Sequence, residues 1–156
     1  MAKKKSAARG NAGYVVKPIG VIHSPFGSAR GMPIQPRFSK SKGEIELFGE
    51  YPKGLKDIEG FSHIILVYRF HKSRGFSLLV KPYLDSEARG IFATRFPDRP
   101  NHIGISVVEL IERSKNRLVV GGIDVVDGTP LLDIKPHVPP FDSAAGARIG
   151  WLEKKV

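Results

Sequence analysis

Cysteine is absent from all 156 residues, which excludes a disulfide framework and any thiolate-bound zinc site. That absence suits a cytoplasmic protein. No apolar run approaches the roughly 18 residues that a membrane-spanning helix needs. The basic start Met1-Ala2-Lys3-Lys4-Lys5 lacks the apolar segment of a signal peptide. Helical periodicity is scarce as well, so a Rossmann-type arrangement, which needs helices between its strands, does not fit. There is no Gly-rich nucleotide loop. The five histidines include no pair at short ligand spacing, His63 and His71 being eight residues apart, and no metal is expected.

Negative charge is missing from the first 43 residues, where Lys3, Lys4, Lys5, Arg9, Lys17, Arg30, Arg37, Lys40 and Lys42 stand unopposed. The remaining chain carries 16 basic residues against 15 acidic ones, so nearly all of the net charge of +10 lies in a tail and one early loop. A basic arm beside a neutral body suits the gripping of a phosphate backbone, and equally well a solubility tail.

What is present reads as strands. Residues 1–13 are expected to be a disordered basic tail, 14–142 a single β domain and 143–156 a C-terminal tail that docks or forms a short helix around Trp151. Val15–His23, containing Pro18 and Gly20, is expected to be an edge or bulged strand. Ser24–Lys42 is a long loop of the kind that carries function. Glu44–Phe48 alternates as a short strand, and Leu55–Glu59 reads as one helical turn. Phe61–Phe70 is the strongest central strand. Phe76–Val80, Gly90–Thr94, Ile103–Glu112, Leu118–Val126 (broken by Gly121-Gly122) and Leu131–Ile134 complete the set. Turns every eight to twelve residues predict a mainly β, single-domain barrel with short helical insertions.

Two stretches carry more chemistry than a connection needs. Ile91–Gly104, IFATRFPDRPNHIG, leaves a strand for a Pro-rich loop with Arg95, Arg99 and Asn101. Asp127–Pro139, DGTPLLDIKPHVP, opens on a tight acidic turn and ends a strand at Lys135-Pro136-His137. Polar side chains in turns between apolar strands are how a rigid scaffold presents a site. Each has a plainer reading: an ordinary Asp-Gly turn, surface arginines, and a solvated Lys135.

The ordered motifs Pro18–Pro25 (PIGVIHSP), Glu59–His63 (EGFSH), Phe70-His71, GIFATR, RPN-IG-S and DGTPLLDIKP resemble the TsaA-like (TrmO) family of tRNA methyltransferases, over about Pro18 to Asp142. The resemblance implies a β-barrel enzyme that uses S-adenosylmethionine, forms a homodimer with the cofactor near its interface, and methylates N6 of threonylcarbamoyl-adenosine beside the anticodon of tRNA. It places cofactor contacts on Gln35, Pro36, Arg37, His71, Lys72, Arg95, Ile105, Asp127, Gly128, Thr129 and Pro130. Where many members read Pro-Arg-Gln and Asn-Pro-Ile-Gly, this chain has Pro33-Ile34-Gln35 and Asn101-His102-Ile103-Gly104.

Methyl transfer is an in-line displacement, so positioning supplies most of the catalysis. Arg95 and Arg99 offer planar forks for a carboxylate or phosphate. Asp127 can accept hydrogen bonds from ribose hydroxyls or an amino group. Arg99, Asn101 and Lys135 are the candidate substrate contacts, with Asn101 favoured as a shaper of its loop. His71, His102 and Asp127 are open candidates for a base acting on a weakly basic nitrogen. The rivals are a non-catalytic RNA-binding barrel and a methyltransferase of this fold with another substrate.

Overall fold

The computed structural model describes residues 12–30, 32–33 and 39–156. Six antiparallel strands close a barrel: β1 (Gly20–His23), β2 (Lys42–Leu47), β3 (His63–Arg69), β6 (Ile103–Ser114), β7 (Arg117–Gly121) and β8 (Thr129–Pro136). Their order around the barrel is β1-β2-β7-β6-β3-β8, and β8 pairs back to β1 through Gly20 opposite Leu131 and Ile22 opposite Thr129. Two short strands, β4 (Leu79–Val80) and β5 (Arg89–Gly90), form a separate ribbon within the β3–β6 connection.

The period-two pattern decides which side chains fill the barrel. Ile22, Ile45, Leu47, Ile64, Leu66, Val108, Leu118, Val120 and Leu131 point inward and are almost completely buried. Each such side chain contributes about 1.5–3 kcal/mol relative to exposure. Leu55 and Ile58 close one end, Ile123 and Val125 the other. Gly104 faces inward where a Cβ would come within 2.5 Å of the Tyr68 ring and 2.6 Å of the Phe70 ring. These two rings pack edge to face, 5.5 Å apart.

Register defines two rims. The upper rim gathers the C-terminal ends of β1, β3 and β7 with the N-terminal ends of β2, β6 and β8. Its connections are residues 24–41, 70–102 and 122–128. The lower rim holds the β2–β3 connection, with 3-10 turns at Tyr51–Leu55 and Ile58–Gly60, and the tight β6–β7 turn.

Several expected boundaries move. The first strand starts at Gly20, after Pro18, and it is neither an edge nor isolated, because barrel closure pairs it on both sides. Phe76–Val80 and Gly90–Thr94 shrink to the two-residue β4 and β5. Ile91–Ala93 turns as 3-10 instead, and Leu78 accepts the Ile91 N–H as the ribbon closes. β7 ends at Gly121, since Gly122 takes φ +81° and the chain leaves the sheet. β8 begins at Thr129, so Pro130 lies inside a strand and not in the turn. A helix appears only as Pro139–Asp142 (α1) among the described residues. The C-terminal segment docks through a 3-10 turn at Gly150–Leu152, with Trp151 Nε1 donating to the Ala93 carbonyl at 2.7 Å.

Candidate active site

The Asp127 turn is built into the barrel wall. Its backbone N–H donates to Phe26 O (2.7 Å) and the Gly128 N–H to Ile22 O (2.9 Å). The Asp127 carboxylate accepts the Ser24 N–H at 3.0 Å, and His23 Nδ1 lies 3.8 Å away. Gly128 sits at φ +82°, a conformation that disfavours a side chain. Thr129 is buried, its hydroxyl donating to Val126 O at 2.6 Å. The Asp127 side chain remains about half exposed, so one oxygen fixes the loop while the group stays open to solvent.

Beside it, the two loops of the β3–β6 connection are sewn together. Phe70 N donates to His102 O at 2.8 Å, Ser77 N to Asp98 O at 3.2 Å, and His102 Nε2 lies 2.6 Å from Gly75 O. A carbonyl only accepts, so His102 carries its proton on Nε2, and it holds φ +48° in doing so. His102 therefore pins a loop, with Nδ1 left as its only basic atom. Arg99 is likewise engaged: Nη1 donates to Thr94 O and Phe96 O, both at 3.0 Å, closing the loop that bears Arg95. Asn101 is exposed in the next turn.

His71 differs. It is half buried, and burial, followed by the positive charges of Lys72, Arg69 and Arg74, holds its imidazole below the ordinary value. It is neutral at physiological pH and able to take a proton. Lys72 and Arg95 are exposed at the same rim, and Ile105 faces outward from β6 with 42% of its surface exposed.

Beneath these residues lies a chain of buried polar groups that was not among the expected site residues, although its Ser106 closes the RPN-IG-S motif. Tyr68 Oη lies 2.8 Å from Ser106 Oγ, and Ser106 Oγ donates to Asp124 Oδ1 at 2.6 Å. All three residues are buried. Removal from water raises the Asp124 carboxyl to about 6, against the opposing hydrogen bond from Ser106 and the positive charge of Arg95. Burial and the Asp124 charge also push the Tyr68 phenol upward, while Ser106 and Arg95 oppose that shift. The available sequence signal was parity: Ser106 occupies an inward position of β6, between the inward Gly104 and Val108.

Of the expected site residues, His71, Lys72, Arg95, Arg99, Asn101, His102, Ile105 and Asp127 to Pro130 gather at the upper rim. Gln35, Pro36 and Arg37 lie outside the described residues. Lys135 does not join them: it is five residues beyond Pro130 along β8, about 17 Å at 3.4 Å per residue. It is bound to Asp133 at 2.8 Å, which raises its ammonium. A cleft of about 300 Å³ lined by Ile19, Leu47, Tyr51, Leu55, Ile58 and Asp133 also opens at the lower rim, away from this chemistry.

The profile of the tRNA-methyltransferase O N-terminal domain family matches residues 21–143. The chain belongs to the tRNA-methyltransferase O family. Among its relatives, a probable S-adenosyl-L-methionine-binding protein of Pyrococcus abyssi is 57% identical over 141 residues, covering 90% of this chain and 77% of that protein. The tRNA (adenine(37)-N6)-methyltransferase of Escherichia coli K12 is 38% identical, covering 90% of this chain and 64% of its own length. The crystal structure of TrmO from Pseudomonas aeruginosa superposes with a TM-score of 0.77 at 40% identity, over 89% of this chain and 62% of that one. The chain thus spans less than two thirds of these bacterial members of the family. The family match stops at 143, so the docked segment around Trp151 lies beyond it.

Proposed function

We propose that this chain is an S-adenosylmethionine-dependent tRNA methyltransferase acting on N6 of an adenosine beside the anticodon, with threonylcarbamoyl-adenosine as the particular nucleoside. The observation that carries this reading is the convergence at one rim of four chemistries from separate segments. These are the Asp127 carboxylate, the Arg95 and Lys72 cations, the neutral His71 imidazole and the outward apolar face of Ile105. The names of the relatives point the same way.

The donor set suits the cofactor. Arg95 matches an amino-acid carboxylate, Asp127 matches ribose hydroxyls or an amino group, and Ile105 offers an apolar surface to a ring. Gly128 lets the backbone approach closely. When bound, the cofactor supplies an activated methyl group on a sulfonium. His71 then takes the proton that the acceptor nitrogen must lose, a role worth about 10²–10⁴-fold in rate. His102 has its Nε2 engaged by Gly75 and serves instead to hold the two loops in register. Arg99 serves the same end from within its loop.

A second copy of the chain supplies a further wall to this site. The β4–β5 ribbon and the segments flanking it carry Phe76, Leu78, Leu79, Tyr83 and Phe92, each more than half exposed, an apolar surface of the kind that marks an interface. The setting is cytoplasmic, where tRNA is met, and among the described residues no helix is long and apolar enough to cross a membrane.

Calorimetric titration with S-adenosylmethionine, followed by methyl transfer to tRNA with and without the threonylcarbamoyl group, tests this reading. Asp127→Ala removes a charged hydrogen-bond partner and should weaken cofactor binding about 10–100-fold. His71→Ala should lower the transfer rate by a larger factor than it weakens cofactor binding. Saturable binding with transfer only to threonylcarbamoyl-bearing tRNA is the expected result, and binding without transfer to either RNA would remove the proposed substrate.

A further inference from the structure

The turn that ends β3 concentrates positive charge at the upper rim. Arg69-Phe70-His71-Lys72-Ser73-Arg74 places three permanent cations and a histidine in six residues, and no acidic residue stands in the chain between Glu59 and Asp85. Arg69, Lys72 and Arg74 are exposed, and none of them enters an ion pair among the described residues. On a loose loop such a cluster would be an ordinary solvated face. This one is held. Ser73 N donates to Phe70 O at 3.1 Å, which closes a turn with His71 and Lys72 at its corner. Both ends are tied to His102, Phe70 N through its carbonyl at 2.8 Å and Gly75 O through its Nε2 at 2.6 Å.

Arg74 is the informative member. Its Nη1 donates to His71 O at 3.0 Å and to Ser73 O at 3.3 Å, so an exposed guanidinium is kept in one orientation. Those bonds occupy Nη1 alone. The opposite edge, Nε with Nη2, is the pair of parallel donors that fits two oxygens of one phosphate. Ordering a long side chain costs rotamer entropy, and a fork that is already set spares a phosphate ligand that cost. The anchor is the carbonyl of His71 itself, the residue whose imidazole faces the acceptor nitrogen in the reading above.

We propose that this turn is the RNA-backbone grip of the site. Arg74 takes a phosphodiester through Nε and Nη2, and Arg69 adds its charge from the end of β3. Backbone contacts set register and orientation without reading sequence, so the turn's part is to bring the target nucleotide against His71. The inference rests on the reading of this rim as a tRNA methyltransferase site, and the experiment separates the two.

The experiment is the binding of unmethylated tRNA across a salt series of about 50–200 mM, with S-adenosylhomocysteine titrated alongside. It compares the wild type with Arg69→Ala, Arg74→Ala, Arg74→Lys and the double alanine variant. Each lost phosphate contact should lower the slope of log affinity against log salt by about 0.7–0.9, and each single alanine should weaken tRNA binding about threefold to tenfold. S-adenosylhomocysteine affinity should stay at the wild-type value. Arg74→Lys keeps the charge and loses the fork, so it should retain the slope and still bind tRNA more weakly; affinity equal to the wild type would overturn the bidentate contact. Slower methyl transfer in Arg74→Ala with tRNA affinity and salt slope unchanged would show an arginine that only braces His71, and would overturn the proposal. Should Arg74→Ala disturb the turn and lose S-adenosylhomocysteine binding, Arg69→Ala must still lower the slope, and its failure to do so overturns the proposal equally. A wild type that neither binds tRNA nor methylates it would remove the reading of the rim, and this inference with it.

Discussion

Asp124 sets a stability dependence that can be read by pH alone. Burial raises its carboxyl from 3.8 to about 6, so the folded chain holds this proton more tightly than the unfolded one. The associated stability is complete below the unfolded value and is lost as pH rises through the folded one, a difference of order 3 kcal/mol. Asparagine stays neutral throughout. Asp124→Asn should therefore melt several degrees above the wild type at about pH 8 and close to it at about pH 4. Thermal unfolding at the two pH values decides the matter, and a gap of equal size at both would show that the carboxylate is not ionised against a burial penalty.

The ribbon of β4 and β5 depends on a segment from the far end of the chain. Lys155 Nζ lies 2.9 Å from the Asp85 carboxylate, which Arg89 also grips, and these two cations hold that carboxylate well below its usual range. Both cations also flank the Trp151 ring, at 5.9 and 5.5 Å. With Trp151 donating to Ala93 O, the segment clamps the turn two residues before Arg95. Trp151→Phe keeps a ring and removes the donor. It should speed amide exchange at residues 91–95 by about fivefold to tenfold, as the loss of roughly one hydrogen bond's worth of local stability implies, while the β3–β6 ladder is unaffected. An unchanged exchange rate would mean that the turn holds itself.

This docking was legible in the sequence only as a possibility around Trp151, because nothing local says which carbonyl an indole will meet. The long strands were legible for the opposite reason. In Phe61–Phe70 and Ile103–Glu112 the burial period is written into consecutive side chains, and both reappear as β3 and β6. Phe76–Val80 and Gly90–Thr94 were overcalled because most of their apolar residues, Phe76, Leu78, Leu79 and Phe92, are exposed on a two-stranded ribbon, where β-propensity has no larger sheet to join.

At the scale of the molecule, the apolar residues on the outside of that ribbon call for a partner. Leu79→Lys with Phe92→Lys should turn a dimer into a monomer in sedimentation velocity and weaken cofactor binding in step, with the barrel's circular dichroism retained. A wild type that sediments as a monomer at all concentrations would remove the shared wall from the site. The rim residues named by motif came together because a closed antiparallel barrel brings the ends of distant strands to one side. Lys135 did not, since a motif read along one strand runs from rim to rim. The Tyr68–Ser106–Asp124 chain was not read as a unit, because its members are far apart in sequence and Ser106 entered only as the end of a motif.

The pairing of β1 with β8 carries a kinetic consequence. Gly20 meets Leu131 across more than a hundred residues, so the seam is among the last contacts that a growing chain can make. At synthesis rates of roughly 5–20 residues per second, β1 waits for several seconds with one of its two hydrogen-bonding edges unmatched. Non-local pairing of this kind is slow to form even for a finished chain. During that interval the Ile19 N–H, which ends on the Leu131 carbonyl at 2.8 Å, is a donor still open to a wrong strand.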